Sequence, residues 1–349
     1  MMPTVSICVQ TYQHAAFIKQ CLDGLLRQEA NFQYEILLGE DCSTDGTREI
    51  CKIYAEKYPG KIRLFLHDRK DNIVINGKPS GRYNFLNNLK NVRGKYFAIC
   101  EGDDYWCDEN KLQKQYDFLE RNQDYSICFH EVSILENSQL SHSYLAPEKA
   151  GTTSIIDLAR KNYIYTCSCF YRNHLPKTFP KSLIHAPFFD YVLHLYISQY
   201  GKIKYLPENM AVYRIHDGGL WSSLERSEQL LGLTHVINPL LDYFKNNIDV
   251  SRELNKQKLE AYMELADCYQ DIGETDKLSE CLKIISQQNP AVFIDLFYEL
   301  HNKLELFDEI RNKNNVLTQK LKRLVNHPVA GNVIRLLAKI KRDSDFGQP

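Results

Sequence analysis

Short apolar runs alternate with amphipathic segments through the first hundred residues of this chain. Four runs have the composition of strands: Val5–Val9, Tyr34–Leu38, Lys61–Leu66 and Lys95–Cys100. The first two are followed by helical spacing of apolar residues, from about 15 to 27 and from the Asp45-Gly-Thr47 turn to about 58. Strands that alternate with helices of this length predict βαβ units and a mostly parallel, Rossmann-like sheet with helices on both faces.

The rest of the chain has a different pattern. A helix is predicted over Asn110–Arg121, strands over 125–135 and 163–172, and a helix over 190–199. From about residue 222 the sequence is helical almost throughout. We therefore predict an α/β domain over residues 1–225, followed by a helical C-terminal region over 226–349.

One pair of helices in that region resembles a tetratricopeptide unit. It consists of Tyr262–Tyr269, a turn at Gly273 and an amphipathic stretch that ends near Ile285. A solenoid needs about three such units to be stable. The pair is therefore predicted to be a helical appendage, through which the protein could form homo-oligomers.

Charge is unevenly distributed although the totals nearly cancel, with 43 Lys and Arg against 44 Asp and Glu. Residues 311–342 contain nine basic and no acidic residues. Because the whole chain carries −1 and only Asp343 and Asp345 follow, residues 1–310 carry −8. The overall balance excludes a protein that binds nucleic acid through bulk basicity.

The basic tail also has apolar residues at helical spacing, in Leu317–Leu324 and Val333–Ile340. A basic amphipathic helix can lie on an anionic membrane surface. It can equally pack on the acidic part of the same chain or on a partner subunit, and the sequence leaves both readings open.

The 11 cysteines are odd in number, include no C-x-x-C pair and lie partly within apolar runs, which favours reduced thiols. The N-terminus lacks the basic and apolar regions of a signal peptide. No run of 18 apolar residues is present. A cytoplasmic protein is therefore expected, held by its basic tail at the inner face of the cell membrane if the tail binds lipid.

Three acidic residues follow the fourth predicted strand closely, in Glu101-Gly-Asp103-Asp104. Carboxylates this close together repel one another unless a cation compensates them. Mg²⁺ or Mn²⁺, held by one or two carboxylates and by phosphate oxygens, is the usual solution. The alternative is a solvated acidic turn.

Two further polar motifs lie near predicted strand ends. Glu40-Asp41 follows the second strand and could accept hydrogen bonds from a base or a ribose, although a simple turn before a helix explains it as well. In Gly81-Arg82-Tyr83-Asn84, the planar guanidinium of Arg82 could reach a diphosphate. A lone arginine is otherwise most often a surface residue.

Taken in order, these motifs resemble those of the family 2 nucleotide-sugar glycosyltransferases, which have the GT-A fold and include bacterial enzymes of cell-surface glycan synthesis. The resemblance covers about residues 3–225. That family usually has a strand ending in Thr-Tyr-Asn, an Asp-Asp-Gly-Ser-Thr-Asp-Gly-Thr turn and an Asp-x-Asp-Asp motif. Here Gln13 stands where Asn is usual, and Glu40 and Glu101 replace the first aspartates.

The resemblance implies roles for residues of the first half. Gln10-Thr11-Tyr12 would lie beneath the nucleotide, and Asp41 would recognise the base, commonly uracil. Asp103 would approach the ribose and the adjoining sugar. Asp104 would be the protein ligand of a Mg²⁺ or Mn²⁺ ion that bridges the donor diphosphate.

It also implies roles in the second half. Asp190, in Phe188-Phe189-Asp190-Tyr191, would be the general base, and its apolar neighbours would raise its pKa; an ordinary helix N-cap is the alternative. In Tyr213-Arg214-Ile-His216, the imidazole would contact the metal or the diphosphate and Arg214 would brace it. Four side chains are weaker candidates for contacts with donor or acceptor: Glu101, Trp106, Arg214 and Trp221.

The function that the resemblance implies is metal-dependent, inverting transfer of a sugar from a nucleotide diphosphate, most simply a UDP-sugar, to a hydroxyl of a glycan or lipid-linked glycan. Two alternative functions are possible for this chain. A sugar-nucleotide pyrophosphorylase would need a glycine-rich basic loop after the first strand, and the segment 10–14 has neither glycine nor Lys or Arg. A non-catalytic helical scaffold is the other.

Overall fold

The computed structural model of the chain describes residues 2–75, 77–142, 151–219 and 221–287. The strands run as follows: β1 Val5–Thr11, β2 Tyr34–Glu40, β3 Ile62–Leu66, β4 Val74–Ile75, β5 Lys78–Pro79, β6 Tyr96–Ile99, β7 Tyr105–Trp106, β8 Tyr125–Glu136, β9 Gln139–His142, β10 Thr152–Thr153, β11 Phe170–Arg172 and β12 Lys202–Ile215. The helices are α1 Ile18–Leu26, α2 Thr47–Lys57, α3 Arg82–Lys90, α4 Lys111–Arg121, α5 Ile155–Arg160, α6 Lys181–Ile184, α7 Phe189–Ser198, α8 Arg226–Tyr243, α9 Ile248–Asp271 and α10 Thr275–Ser286.

A curled sheet with the strand order β10-β12-β8-β11-β6-β1-β2-β3 organises these elements. Strands β6, β1, β2 and β3 are parallel to one another, so their carboxyl ends meet at one edge. The α/β class and the mostly parallel sheet predicted from the sequence are confirmed. Parallel strands of this kind place ligands at that edge.

Alternation along β1 divides its side chains between two faces. Val5, Ile7 and Val9 are fully buried in the same apolar cluster as residues of α1 and α2. The intervening residues, which include Gln10, point to the opposite face, where α3 packs on β1 and β2. Burial of each large apolar side chain contributes roughly 1.5–3 kcal/mol, so the first face anchors the strand while the second can carry polar groups.

Antiparallel and long strands complete the sheet. β11 lies between β6 and β8 and is antiparallel to both. The strand predicted over 163–172 is therefore limited to Phe170–Arg172, because residues 166–168 close a 3₁₀ turn in which the Cys169 N–H donates to the Thr166 carbonyl at 3.1 Å. β12 pairs with β8 in parallel and with β7, which brings its end beside the acidic turn that follows β6.

By its internal contacts the chain divides into two units after Ser251. α8 lies in the first unit and packs on α6 and α7. The boundary predicted at residue 225 remains a prediction. In the second unit, α9 and α10 are joined through Gly273, whose φ of 75° is a conformation that favours glycine, so the predicted helical pair is present.

The basic tail, 311–342, lies outside the described residues, so its membrane or protein partner stays a prediction. Among the helices that the structure describes, none is long and apolar enough to span a bilayer. All eleven cysteines fall within the described ranges and are free thiols.

Candidate active site

Buried polar atoms without partners cluster at the carboxyl edge of the parallel strands. They include both amide atoms of Gln10, the Thr11 hydroxyl, Oδ1 of Asp41 and Oε2 of Glu101. None of these atoms has a hydrogen-bond partner within the described part of the chain. An unsatisfied buried polar group costs about 1–3 kcal/mol. Such a cluster, drawn from β1, β2 and the turn after β6, is the signature of a site that a polar ligand completes.

Gly102 allows two of these elements to approach closely. A Cβ atom at this position would lie 2.6 Å from Oγ1 of Thr11 and 2.7 Å from its Cβ. Only glycine therefore fits between the end of β1 and the acidic turn. The glycine within Glu101-Gly-Asp103-Asp104 is thus a packing requirement of the site.

Asp41 is buried at the end of β2 and held by residues from the loop after β3. Its Oδ2 accepts hydrogen bonds from Arg69 at 2.7 Å and from Asn72 at 2.9 Å. Burial raises the pKa of Asp41 above its usual value, although the hydrogen bond from Asn72 and the charge of Arg69 oppose this. The guanidinium of Arg69 also lies 4.2 Å from the ring centre of Tyr12, which is 40% exposed. Asp41 and Tyr12, predicted separately, are thereby connected.

The turn after β1 accommodates Gln13 at the position where the family usually has asparagine. Gln13 has a φ of 57°, in the left-handed region that asparagine tolerates better than most residues. Its side chain compensates by hydrogen bonding Thr44 twice, donating to Oγ1 at 3.1 Å and accepting from the backbone N–H at 2.7 Å. The turn is therefore fixed to the start of α2 without the usual residue.

Glu40, by contrast, has a structural role. Its carboxylate accepts a hydrogen bond from the Ser43 backbone N–H at 2.6 Å and forms an ion pair with Arg48. Asp45 accepts a hydrogen bond from the Thr47 N–H at 3.0 Å, as expected for a residue that stabilises the start of α2. These contacts build the loop that carries Asp41.

Asp103 lies between two histidines. Its Oδ2 is 3.3 Å from Nε2 of His216 and 3.6 Å from Nε2 of His14. Burial would raise the pKa of Asp103, but the hydrogen bond with His216 and the neighbouring charge of His14 outweigh it and hold this pKa below its usual value. The His216 ring packs on Phe17, with ring centres 4.6 Å apart. The predicted Asp103 and His216 thus come together, and His14 joins them.

Asp104 is more deeply buried than Asp103. The residue is 2% exposed, and its Oδ1 accepts a hydrogen bond from the Arg214 backbone N–H at 2.9 Å. Burial, followed by the charges of Asp103 and Glu101, raises its pKa well above the usual value. The Arg214 guanidinium donates to the Asp103 carbonyl and to Gln20. Arg214 therefore braces the acidic turn itself.

The donor atoms present suit a divalent cation bound together with phosphates. The described residues contain no group of three His, Cys, Asp or Glu side chains arranged to hold a metal ion. Mg²⁺ and Mn²⁺ in nucleotide sites need only one or two protein ligands, since phosphate oxygens and water supply the rest. The Asp103 carboxylate suits either ion, and the His216 imidazole beside it suits Mn²⁺ better than Mg²⁺.

Asp190 lies at the first turn of α7, where the sequence predicted it. It is half-buried, and burial raises its pKa above the usual value, while hydrogen bonds from the backbone and the charge of Arg82 act in the opposite direction. The charge of Asp190 in turn raises the pKa of Glu101, which reaches about 8 mainly through burial. The two carboxyl groups are therefore close enough to interact.

Arg82 is placed differently from its prediction. It is 8% exposed, and its guanidinium donates to the carbonyls of Ile184 and Ala186 at 2.6 and 2.8 Å. Both hydrogen bonds come from Nη1, so this nitrogen is committed to the segment before α7, a contact that the sequence did not predict.

The two tryptophans also have separate environments. Trp106 is 1% exposed, its indole N–H donates to the Cys167 carbonyl at 2.9 Å, and the ammonium of Lys111 lies 3.9 Å from its ring centre. It is a core residue, so the predicted contact with donor or acceptor is wrong for Trp106. Trp221 is 40% exposed and meets Phe188 edge to face, with ring centres 4.7 Å apart.

Sequence comparisons identify relatives for the first half. Residues 6–178 match the family model described as Glycosyl transferase family 2. The protein Rv1520 of Mycobacterium tuberculosis is 35% identical over 220 residues, which cover 63% of this chain and 61% of Rv1520. TuaG of Bacillus subtilis, named as a teichuronic acid biosynthesis glycosyltransferase, is 29% identical over 167 residues, 47% of this chain and 60% of TuaG. The matches thus span about three-fifths of the length of these relatives.

Two solved structures share the fold. S. aureus TarS 1–349 in complex with UDP-GlcNAc aligns with a TM-score of 0.60 at 18% identity, covering 83% of each chain. The mannosyltransferase PcManGT from Pyrobaculum calidifontis, in complex with GDP-Man and Mn²⁺, aligns with a TM-score of 0.52 at 16% identity, covering 89% of this chain and 83% of PcManGT. At these identities the likeness establishes the common architecture.

Proposed function

We propose, from the match of residues 6–178 to glycosyltransferase family 2, that this chain transfers a sugar from a nucleotide diphosphate to a hydroxyl of a glycan. The observation that carries the proposal is the cluster of unpartnered polar atoms at the sheet edge, beside the Asp103 carboxylate and the His216 imidazole. A nucleoside diphosphate bound with a cation presents hydrogen-bond donors, acceptors and negative charge to such a surface.

The donor is proposed to be a UDP-sugar. Asp41 has one oxygen without a partner in the described chain, because Arg69 and Asn72 occupy the other. One free acceptor matches the single ring N–H of uracil, and the Tyr12 ring on Arg69 offers a flat surface for the base. TarS, which shares the fold, is named as a complex with UDP-GlcNAc.

Divalent metal dependence is also proposed, and PcManGT, of the same fold, is named as a complex with Mn²⁺. The sequence assigned the protein ligands to Asp104 and His216. We favour Asp103 together with His216, because the Asp103 side chain is 20% exposed and lies 3.3 Å from the imidazole, whereas Asp104 is 2% exposed. When bound, the ion would stabilise the negative charge that develops on the leaving diphosphate.

Asp190 is the proposed general base. It takes the proton of the acceptor hydroxyl as that oxygen forms a bond to the anomeric carbon. The bond from the anomeric carbon to the diphosphate oxygen breaks, and its electron pair leaves with the nucleoside diphosphate. A single displacement of this kind inverts the configuration at the anomeric carbon. Positioned acid–base catalysis typically contributes about 10²- to 10⁴-fold to the rate.

The acceptor is proposed to be a growing cell-surface glycan, free or linked to lipid. TuaG, to which residues of the first half are related, is named for the synthesis of teichuronic acid. An acceptor at the membrane would agree with the first of the two alternatives for the basic tail, 311–342, in which it binds anionic lipid.

A donor screen tests the function. Purified protein is incubated with UDP-, GDP-, dTDP- and CMP-sugars, with and without Mn²⁺, and release of the nucleotide is measured. We expect slow hydrolysis of one or more UDP-sugars that depends on Mn²⁺. Failure to release nucleotide from any donor, together with failure to bind UDP, would overturn the proposal.

A further inference from the structure

We propose that Arg82 is a positioning residue that holds Asp190 in place for proton transfer, and that it does not bind the donor diphosphate. The inference rests on the proposed role of Asp190 as the general base. It comes from the way α3 and the segment before α7 are joined, which no motif in the sequence indicates.

The hydrogen bonds of Arg82 form a clamp on the entry to α7. Arg82 is the first residue of α3, and the two carbonyls that accept its hydrogen bonds, at Ile184 and Ala186, lie more than 100 residues later. Its guanidinium also lies 4.6 Å from the ring centre of Phe189, next to Asp190 in sequence. Three contacts thus fix the few residues that set the direction of the Asp190 side chain.

The backbone between the clamp and Asp190 is strained. Phe188 has a φ of 50°, in the left-handed region that an aromatic residue rarely adopts. Strain of this kind persists only where the surroundings over-determine it, and it concentrates at functional sites. The Phe188 ring supplies part of that constraint, because it packs against Gly232 of α8, where a Cβ atom would lie 2.4 Å from the ring.

Arg82 also supplies charge to Asp190. The groups that act on this carboxylate from the surrounding elements are Arg82 at the start of α3, Glu101 after β6, Asn162 and Tyr171 of β11. Of these only Arg82 is a cation, and its positive charge favours the ionised carboxylate that accepts a proton. Glu101 acts in the opposite direction. Loss of Arg82 should therefore both misplace the base and make it harder to ionise.

The test is the substitution Arg82→Gln, with Arg82→Lys as the variant that keeps the charge. Transfer or donor hydrolysis is measured against pH, and UDP affinity is measured by calorimetry with Mn²⁺. For Arg82→Gln we expect kcat to fall about 10- to 100-fold, since misplacing a group by about 1 Å can cost this much. The acid limb of the kcat profile should move up by about one pH unit. The Kd for UDP should change less than about twofold, and Arg82→Lys should restore the limb at least in part.

Two other variants separate position from folding. Gly232→Ala pushes on Phe188 without changing charge, so it should lower kcat and leave the acid limb in place. Arg172→Gln is the matched control, because Arg172 also donates to backbone carbonyls, at Leu119 and Tyr125, and lies over the ring of Tyr96. It should lower the unfolding midpoint without moving the limb.

Distinct results would overturn the inference and the function beneath it. If Arg82→Gln weakens UDP binding about tenfold or more and leaves the acid limb where it was, Arg82 is a diphosphate ligand and the inference is wrong. If Arg172→Gln moves the limb as far as Arg82→Gln does, the effect is general destabilisation and the inference is equally wrong. If the wild-type protein neither releases nucleotide from any donor nor binds UDP, the proposed function fails, whatever the Arg82 variants do.

Discussion

Two carboxylates at the same edge of the sheet have opposite surroundings. Asp103 lies between His14 and His216, and its pKa is held below the usual value. Asp190 lies at the start of α7, where burial raises its pKa and Arg82 is the one cation among the groups that act on it in the described chain. The first is suited to remain charged beside a cation, and the second is suited to take up a proton.

The difference shows how one edge can perform two tasks. Groups whose surroundings push their pKa values apart divide the acid–base roles of a site between them. Near Asp103 the polar contacts come from His14, which follows β1, and from the end of β12, while Asp190 is influenced by Arg82 of α3 and by Asn162. Separate elements therefore tune each carboxylate, and substitutions can test each independently.

The largest effect is expected from Asp190→Asn. Asparagine keeps the shape of the side chain but cannot accept the proton, so transfer should fall by about 10²- to 10⁴-fold. The affinity for UDP in the presence of Mn²⁺ should stay within about twofold of wild type, because the residues proposed to bind the nucleotide and the metal do not include Asp190. Steady-state kinetics and calorimetry measure the two quantities, and near-normal transfer would remove Asp190 from the mechanism.

The next largest effect is expected from Asp103→Asn, and its comparison with Asp104→Asn distinguishes the two residues as metal ligands. Asp103→Asn removes the charge beside His216 and should lower transfer by about 10²- to 10³-fold, within the several kcal/mol that a metal supplies. It should also abolish the gain in UDP affinity that Mn²⁺ provides. Asp104→Asn should have a much smaller effect, because burial already favours the neutral form of this side chain.

The pair is its own control, since the residues are adjacent and the substitutions are identical. If Asp104→Asn loses the Mn²⁺ dependence while Asp103→Asn keeps it, the ligand is Asp104, as the sequence first predicted.

A smaller effect is expected at the far end of the donor site. Arg69→Ala removes the ion pair to Asp41 and the support beneath Tyr12. The uracil base of the donor lies away from the reacting bonds, so we expect KM for the donor to rise about tenfold while kcat changes little. This pattern is expected when an interaction is lost equally from the ground state and the transition state. A fall in kcat with unchanged KM would contradict the placement of the uracil base beside Asp41 and Tyr12.

The smallest expected effect is on the free energy of unfolding and concerns Lys111. Measuring it shows whether the pH dependence of kcat is separate from the pH dependence of folding. Lys111 is fully buried against Trp106 and Gln115, and burial lowers its pKa to about 8. Since the unfolded chain binds this proton up to about pH 10.4, stability should rise with pH between about 8 and 10.4.

Lys111→Met should remove that rise and should stabilise the protein at pH 7 by on the order of 1 to 3 kcal/mol. Denaturant unfolding at several pH values measures it. Because this window lies above neutrality, the acid limb assigned to Asp190 is not a folding effect of Lys111. If the stability of the wild-type protein changed near pH 5 to 6, the acid limb of the kcat profile would not report on Asp190 alone.

Much of the site could be predicted from local patterns, since the residues after each parallel strand are both recognisable in sequence and adjacent in space. Asp41 and Asp103 were identified in this way, whereas Asp190, at the start of α7, was identified through the resemblance to the family. Their partners were missed because they are distant in sequence and belong to no motif: Arg69 and Asn72 come from the loop after β3, and His14 follows β1.

The errors have similar physical causes. β12 was not predicted because Pro207 and three breaks in register interrupt its pattern. Trp106 follows the acidic motif, but pairing with β12 turns it into the core. Arg82 has the right residue type for a diphosphate, yet its partners are backbone carbonyls that no sequence pattern reveals.

The most direct measurement is calorimetric titration of the wild-type protein with UDP, in the presence and in the absence of Mn²⁺. We predict binding with Mn²⁺ that is at least about tenfold tighter than without it, equivalent to about 1.4 kcal/mol. Asp103→Asn should lose this difference, and Asp190→Asn should keep it. The absence of UDP binding under both conditions, or an equal loss of the Mn²⁺ effect in the two variants, would contradict the division of roles between Asp103 and Asp190.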